Sequence, residues 1–521
     1  MKIKQAAISI LVFSSILFIF SYPNYYALVN TPAKTVYAGF AAWFDPWDIN
    51  VYTAAIKWSQ KQGFNFQNAY TTESHKPILV YPLYTLLGVM FREHNPHVIF
   101  SASTIFFGVV LLLSLYKVSS VFLKKKRDVL ASVFLTSLGG GLGWIFYPKL
   151  LFPDIAVTPF TFNSTFQKPH EALAVSFYFL SLALFYMGVK KRHLFSIVFS
   201  TAFMSFVIPF YPYHLLSFYL ICGYFAAVFA LRKKEKYPIF YFLFIFSITI
   251  VLGLAYSSYL LSGSSFEAVL NPYLGTPNLF KVAVGYGVLL PLLIYQLFNK
   301  KRSSAWIFLN LWFFLSLFSA YFPLPFSRYY LRGLFFPASI LAINSLGAVS
   351  KKIRVSRKIL LFALLVLVPI SSFFIAQQRI EYVNSGDIQW YFLLKEEKEA
   401  LTYLDKNTQG GTGVLASYTM GNYIPAHTGN RVYFGHHYQT PNSKEKIKNL
   451  TRFYKNEYSE EEARQFLIKN NISYVVWGPD EKDITLKHSG EEQLKYTFLE
   501  KVYSNPKVTI FSYDENYLKT K

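Results

Sequence analysis

The sequence predicts a polytopic α-helical membrane protein that carries an α/β domain outside the membrane at its C-terminal end. Three observations predict it. Of the 521 residues, 53% are hydrophobic and only 15% are charged, against about a quarter charged in soluble domains. The apolar residues fall into runs long enough to cross a bilayer. Lys and Arg gather between those runs in five short clusters: Lys124–Arg127, Lys190–Arg192, Arg232–Lys236, Lys300–Arg302 and Lys351–Lys358. Basic residues beside spans stay in the cytoplasm, so the clusters mark one face of the membrane.

The first span, near 7–27, follows Lys2 and Lys4. It is longer than the apolar core of a signal peptide and shows no small-residue cleavage site, so it reads as a retained helix. Further spans are expected near 98–122, 128–147, 171–189, 193–210, 213–231, 237–262, 280–298, 305–322, 334–349 and 359–376. The length rule therefore gives about eleven transmembrane helices. With the N-terminus cytoplasmic, every basic cluster falls inside. Segments 28–97, 148–170 and 263–279, and the chain beyond about 377, then fall outside. The expected domains are a transmembrane domain over 1–380, with a large first outer loop at 28–97, and a soluble extracytoplasmic domain over 381–521. The location is the plasma membrane, crossed many times.

Segment 77–92 is apolar but holds Pro77, Pro82 and Gly88, which suits a re-entrant or interfacial element. Gly139–Gly143 lies within an expected span with no strand before it, so it reads as close helix packing and not as a phosphate loop. Beyond 385 charged residues become frequent. Residues 387–405 have helical spacing, strand-like runs follow at Val414–Ser417, Arg431–Phe434, Tyr474–Trp477 and Val508–Tyr513, and helices are expected at 443–455 and 459–470. Ser459 and Glu462 form a capping box. Alternating helices and strands predict a small α/β domain with an open sheet.

The net charge of +23 sits largely in the short loops that topology explains, so membrane lipid is the expected partner and nucleic acid is not. The lone Cys222 excludes an intramolecular disulfide and a zinc-type cysteine cluster. No Walker, kinase or nucleophile-elbow motif occurs. Carboxylates are nearly absent from the spans, which counts against an ion-coupled transporter.

Four segments on the outer side carry candidate chemistry. Trp43-Phe44-Asp45-Pro46-Trp47-Asp48 places two carboxylates three residues apart beside interfacial Trp. Asp45 is suited to take a proton from a hydroxyl, or the pair to hold a divalent cation; alternatively Asp48 caps a helix over 49–62. Glu73, His75 and Lys76 lead into the interfacial segment and are suited to line a site at the membrane surface. Gln167-Lys168-Pro169-His170-Glu171 opens a span, where a helix N-terminus favours an anion. Arg328 and Arg332 lie outside, against the positive-inside bias, four residues apart. They are suited either to hold a phosphate or to snorkel to headgroups. His427, His436 and His437 lie in the outer domain without metal spacing. His436 is a substrate-binding candidate, because loops at strand ends often face ligands; the alternative is a surface histidine pair with no role.

Together these motifs resemble the GT-C superfamily of integral membrane glycosyltransferases. An Asp motif in an early outer loop (Phe-Asp-Pro-Trp-Asp) is followed by Asn-x-Tyr-Thr-x-Glu-x-His, by Leu-x-Tyr-Pro-Leu-Tyr-x-Leu-Leu-Gly and by Lys-Pro-His before a span. The outer domain reads Gly-Asn-Tyr-Ile-Pro-Ala-His-Thr-Gly-Asn-Arg-Val. The chain is especially similar to large bacterial members of this class. The resemblance implies inverting transfer of a hexosyl or pentosyl unit from a polyprenyl-phosphate-sugar donor to a glycan, lipid or protein acceptor on the outer side. It gives the base or metal-ligand role to Asp45 first and Asp48 second. Arg328, Arg332, Lys168 or Lys76 is suited to stabilise the leaving phosphate, with Glu73, His75, His170, Glu171 and His436 as further substrate-binding candidates. The loop lacks an adjacent Asp-Glu or an Asp-x-Asp. No cofactor is therefore fixed by motif, and Mg or Mn would be held by Asp45 and Asp48 if a divalent cation takes part. A transporter or flippase of lipid-linked sugars is the alternative from another class, and a non-enzymatic envelope scaffold a third.

Overall fold

Apolar runs without polar interruption form helices whose length follows the bilayer. The computed structural model describes residues 2–263, 275–298, 302–386, 390–489 and 493–513. Among these, seven segments are long and apolar enough to cross a membrane: Ala6–Val29, Pro96–Phe122, Pro169–Lys191, His214–Lys233, Tyr237–Leu261, Ser327–Ile353 and Arg357–Asn384. Leu194–Val207 and Ser304–Ser319 are shorter apolar helices.

Four expected spans take a different form. The helix near 128–147 stops at Ser137, because the glycines that follow serve close packing between elements. A Cβ on Gly139 would strike the Phe335 ring, on Gly140 the Ser371 side chain, and on Gly141 the backbone of Val284 and Gly285. The span near 280–298 breaks at Gly287, whose φ is +48°. Its halves, Leu279–Tyr286 and Leu289–Leu297, meet at 104°. The spans near 193–210 and 305–322 are helices of 14 and 16 residues; the first ends just before Pro209. The expected loop 263–279 falls mostly, and Lys300 and Lys301 wholly, outside the described residues.

The interior is packed with aromatic and aliphatic side chains. Trp312 lies 4.9 Å from Phe179 and 5.2 Å from Phe336, ring to ring. Leu11, Phe18, Phe106, Phe195, Phe240, Leu254 and Phe362 are exposed. So many exposed large apolar side chains along helices mark a lipid-facing surface.

The basic clusters meet at one end of the bundle. Arg357 donates to both oxygens of Asp128 at 3.1 and 3.0 Å, Arg192 pairs with Glu235 at 2.6 Å, and Arg232 donates to the Arg302 carbonyl at 3.4 Å.

At the other end lie the first outer loop and the α/β domain. Strand β1 (Thr35–Tyr37) pairs antiparallel with β2 (Phe392–Leu394). This pairing corrects the helix expected from 387. Residues 387–389 lie outside the described ones, 392–394 are extended, and the helix runs over Lys395–Asn407. The first loop supplies an edge that the spacing at 392–394 cannot reveal. Arg379, 2% exposed, clamps the junction: it donates to the Ala41 carbonyl at 2.7 Å, the Tyr391 hydroxyl at 2.9 Å and the Phe20 carbonyl at 3.3 Å.

The remaining strands are β3 (Gly413–Leu415), β4 (Arg431–Val432), β5 (Tyr474–Trp477), β6 (Glu500–Ser504) and β7 (Thr509–Ser512), in the order β4-β3-β5-β7-β6. β4, β3 and β5 run parallel, and β7 is antiparallel to both β5 and β6. Helices Ser443–Tyr454 and Glu460–Lys469 follow the expected bounds, and the Ser459–Glu462 capping box forms. Two further helices, Tyr418–Thr428 and Pro479–Ser489, were not expected. Pro425 inside the first hid its helical pattern. That helix packs on Asp48–Gln62, where Asn50 donates to Asn422 at 2.6 Å in the buried interface. The interfacial segment contains a nine-residue helix, Pro82–Met90. Its Gly88 lies so close to the Ile56 carbonyl that a Cβ would clash.

Candidate active site

A cavity of about 590 Å³ opens where the first outer loop, the mouths of the spans and the α/β domain meet; Asp45, Asp48, Lys168, His170, Glu171, Arg328 and His436 all line it. These residues come from four separate stretches of sequence.

Asp45 sits at a left-handed turn, φ +51°. The turn is closed by the Asp48 N–H donating to the Asp45 carbonyl at 3.0 Å. The loop before it is held from two sides. Trp43 N donates to Gln167 Oε1 at 2.8 Å, and Trp43 Nε1 to the Ile155 carbonyl at 3.0 Å. Thr158 Oγ1 donates to Asp45 Oδ2 at 2.9 Å.

Asp48 lies in the first turn of Asp48–Gln62 but does not cap it, contrary to the capping alternative. Its oxygens are drawn sideways. Lys168 Nζ lies 3.1 Å from Asp48 Oδ2, and His436 Nε2 lies 3.2 Å from Asp48 Oδ1. The Tyr438 and Gln439 N–H groups both donate to His436 Nδ1, at 3.2 and 3.1 Å. That nitrogen therefore holds no proton, and Nε2–H donates to Asp48. Burial pushes the Asp48 carboxyl up, but Lys168 and His436 outweigh it and hold the group well below the usual carboxylate range. Lys168, itself 2% exposed, is also 3.7 Å from Asp45 Oδ2. Burial lowers its ammonium, and Asp48, Asp45 and Glu171 more than reverse that, so it stays charged.

The donor set does not suit a divalent cation. The Lys168 ammonium stands against both carboxylates, and the His436 nitrogen facing them carries a proton. Among the described residues no group of three His, Cys, Asp or Glu side chains could hold a metal ion.

Arg332 and Arg328 part company. Arg332 is buried, 3.0 Å from Glu171 Oε2 and donating to the Tyr211 hydroxyl at 2.7 Å. Its charge is spent on Glu171. Arg328 lines the cavity, stacks at 5.8 Å on Tyr329, and has no carboxylate within 4.0 Å among the described residues. His170 Nδ1 shares a 2.6 Å hydrogen bond with the Tyr84 hydroxyl, and its ring packs beside Tyr52 at 4.7 Å.

Glu73, His75 and Lys76 lie apart from the cavity. Glu73 pairs with Lys446 at 2.7 Å. His75 Nε2 accepts from Asn68 N at 2.9 Å, which leaves Nδ1 to donate to the Glu73 carbonyl at 2.8 Å. Lys76 is exposed. Glu73 thus ties the first loop to the α/β domain, and the His75 ring braces the loop itself.

Sequence reasoning missed Thr158 and Tyr211. Tyr211 sits in Phe210-Tyr211-Pro212-Tyr213-His214, an aromatic run at the outer mouth of two spans that interfacial chemistry could have flagged. Nothing in the sequence around Thr158 marks it.

No protein-family model and no curated sequence matches the chain. Solved structures do. The apo oligosaccharyltransferase of Archaeoglobus fulgidus is 14% identical, with 96% of this chain and 74% of that one covered at a TM-score of 0.52. The apo ArnT of Cupriavidus metallidurans is 10% identical, with 97% and 98% covered at a TM-score of 0.54. The same ArnT bound to undecaprenyl phosphate aligns at 10% identity and a TM-score of 0.52, with 98% of this chain and 97% of that one covered. The chain shares the overall fold of these solved structures.

Proposed function

We propose that the chain is an inverting glycosyltransferase that moves a sugar from a polyprenyl-phosphate donor to an acceptor hydroxyl on the outer side of the membrane. The N-terminus and the basic clusters are cytoplasmic, and the cavity opens outside. The observation that carries the reading is one cavity holding a carboxylate with an uncommitted oxygen, Asp45, and a cation without a carboxylate partner, Arg328.

Asp45 accepts the proton of the acceptor hydroxyl. The acceptor oxygen forms its bond to the anomeric carbon as the bond from that carbon to the phosphate oxygen breaks. The electron pair leaves with the phosphate, and the configuration inverts. A phosphate leaving group needs charge stabilisation more than a proton. Arg328 supplies it, with Lys168 behind. Asp48 and His436 hold Lys168 and the loop in place, and Arg332 positions Glu171 and Tyr211. The reaction needs no metal, since the Lys168 ammonium fills that electrostatic role between the two carboxylates. The ArnT structure bound to undecaprenyl phosphate supports a lipid-phosphate donor for a cavity of this fold.

The test is transfer from a radiolabelled polyprenyl-phosphate sugar by the purified protein. Asp45→Asn should lose at least about a hundredfold in rate, since general-base help is worth 10²–10⁴, with membrane insertion intact. EDTA should leave the wild-type rate unchanged. A rate for Asp45→Asn within about tenfold of wild type would remove Asp45 from the base role.

A further inference from the structure

The basic end of the bundle holds a second cavity, of about 560 Å³, at the far end of the molecule from Asp45. Four helices frame it: Pro96–Phe122, Lys126–Ser137, Pro169–Lys191 and the first turn of Ser304–Ser319. Its rim carries Lys124, Lys126 and Lys190, and no carboxylate lines it among the described residues. Its floor is polar and buried. Tyr186 is 1% exposed, and its hydroxyl lies 3.2 Å from Ser304 Oγ. The Lys190 ammonium stands 5.5 Å above the Tyr186 ring, which keeps that charge over the opening. Val121, Leu123 and Val129 give the walls an apolar side.

The parts are arranged as a phospholipid is arranged. Cations at a rim suit a phosphodiester, hydroxyls below it suit ester and glycerol oxygens, and apolar walls suit the start of an acyl chain. Basic pockets between spans on the cytoplasmic side are suited to anionic headgroups, each Lys or Arg near the surface being worth about 1 kcal/mol. A helix N-terminus at Ser304 adds to the attraction for an anion. We propose that this cavity is a binding site for an anionic phospholipid of the inner leaflet, separate from the cavity at Asp45. The proposal rests on the sidedness given above but not on sugar transfer, and its readout is binding, so its failure and that of the transferase reading can be told apart.

The experiment is native mass spectrometry of the purified full-length protein with phosphatidylglycerol and with phosphatidylcholine, on wild type and on two triple variants. One triple removes the rim (Lys124→Gln, Lys126→Gln, Lys190→Gln). The other removes the same charge elsewhere at that end (Lys233→Gln, Lys234→Gln, Lys236→Gln). Wild type should retain phosphatidylglycerol over phosphatidylcholine. The rim triple should lose roughly ten- to a hundredfold of that preference, and the control triple should keep most of it. Two results would overturn the site: a rim triple that still prefers phosphatidylglycerol, or a control triple that loses as much, since the preference would then be the diffuse attraction of any basic face. Displacement of phosphatidylglycerol by equimolar glycerol phosphate would overturn the lipid assignment and leave a site for a soluble phosphate.

Discussion

Replacing Lys168 with Gln strikes the electrostatic centre of the outer cavity. The ammonium is 2% exposed and lies 3.1 Å from Asp48 Oδ2 and 3.7 Å from Asp45 Oδ2. At an effective dielectric of about 20, Coulomb's law gives roughly 5 kcal/mol gross for each contact. Desolvation offsets much of that, and deleting one partner of a buried pair costs about 3–5 kcal/mol net. Asp48 sets the pH dependence. Burial raises its carboxyl, and Lys168 and His436 hold it below the ordinary value of 3.8. A carboxyl depressed on folding contributes stability above its unfolded pKa and loses it as pH falls through the folded value. Without Lys168 burial gains the upper hand and that contribution goes. The wild type should therefore melt well above Lys168→Gln near about pH 6–7, and the gap should start to narrow below about pH 5 and keep narrowing as pH falls towards the folded value, below 3.8. Intrinsic-fluorescence melting of the protein in detergent, at one scan rate, reads this out. Asp48→Asn and the double variant close a cycle in which the two changes should be strongly non-additive. A gap that does not change with pH, or additivity within about 0.5 kcal/mol, would refute the reasoning.

Three further outcomes are expected. Arg328→Ala should weaken donor binding about ten- to a hundredfold, the value of a charge-assisted hydrogen bond. Arg328→Lys should restore it in part, because Lys lacks the planar fork; lipid-phosphate titration measures this. His436→Gln keeps a donor near Asp48 and should retain more transfer activity than His436→Ala, read as kcat/KM. On a Cys222→Ser background, single cysteines at exposed positions of 395–513 should react with an impermeant maleimide in intact cells, and protection of all of them would reverse the topology.

The sequence told different things about different parts. Apolar runs and basic clusters made the membrane half legible, because span length and loop charge are local properties. The breaks at Gly139 and Gly287 were not legible. Each depends on a group from elsewhere in the chain, the Phe335 ring at Gly139 and the Gly141 backbone at Gly287, coming within a Cβ radius of the glycine. The pairing of β1 with β2 was hidden for the same reason, since neither three-residue strand has a pattern of its own. In the site, Asp45, Asp48, Lys168 and His170 could be found from motif and sidedness. The division of labour between Arg328 and Arg332 could not, because it is decided by where Glu171 points. Glu73, His75 and Lys76 look the same in sequence as the residues of the cavity, yet they lie apart from it, and Glu73 braces a domain contact.

The hydrogen bond between His436 and Asp48 joins residues 388 positions apart. It therefore sets a time as well as a geometry. A ribosome adds about 5–20 residues per second, so roughly 20–80 seconds separate the two side chains during synthesis. Within that interval Lys168, 120 positions beyond Asp48, is made well before His436. The contact that joins Asp48 to the α/β domain therefore cannot form until the segment carrying His436 has been made and has docked on the first loop.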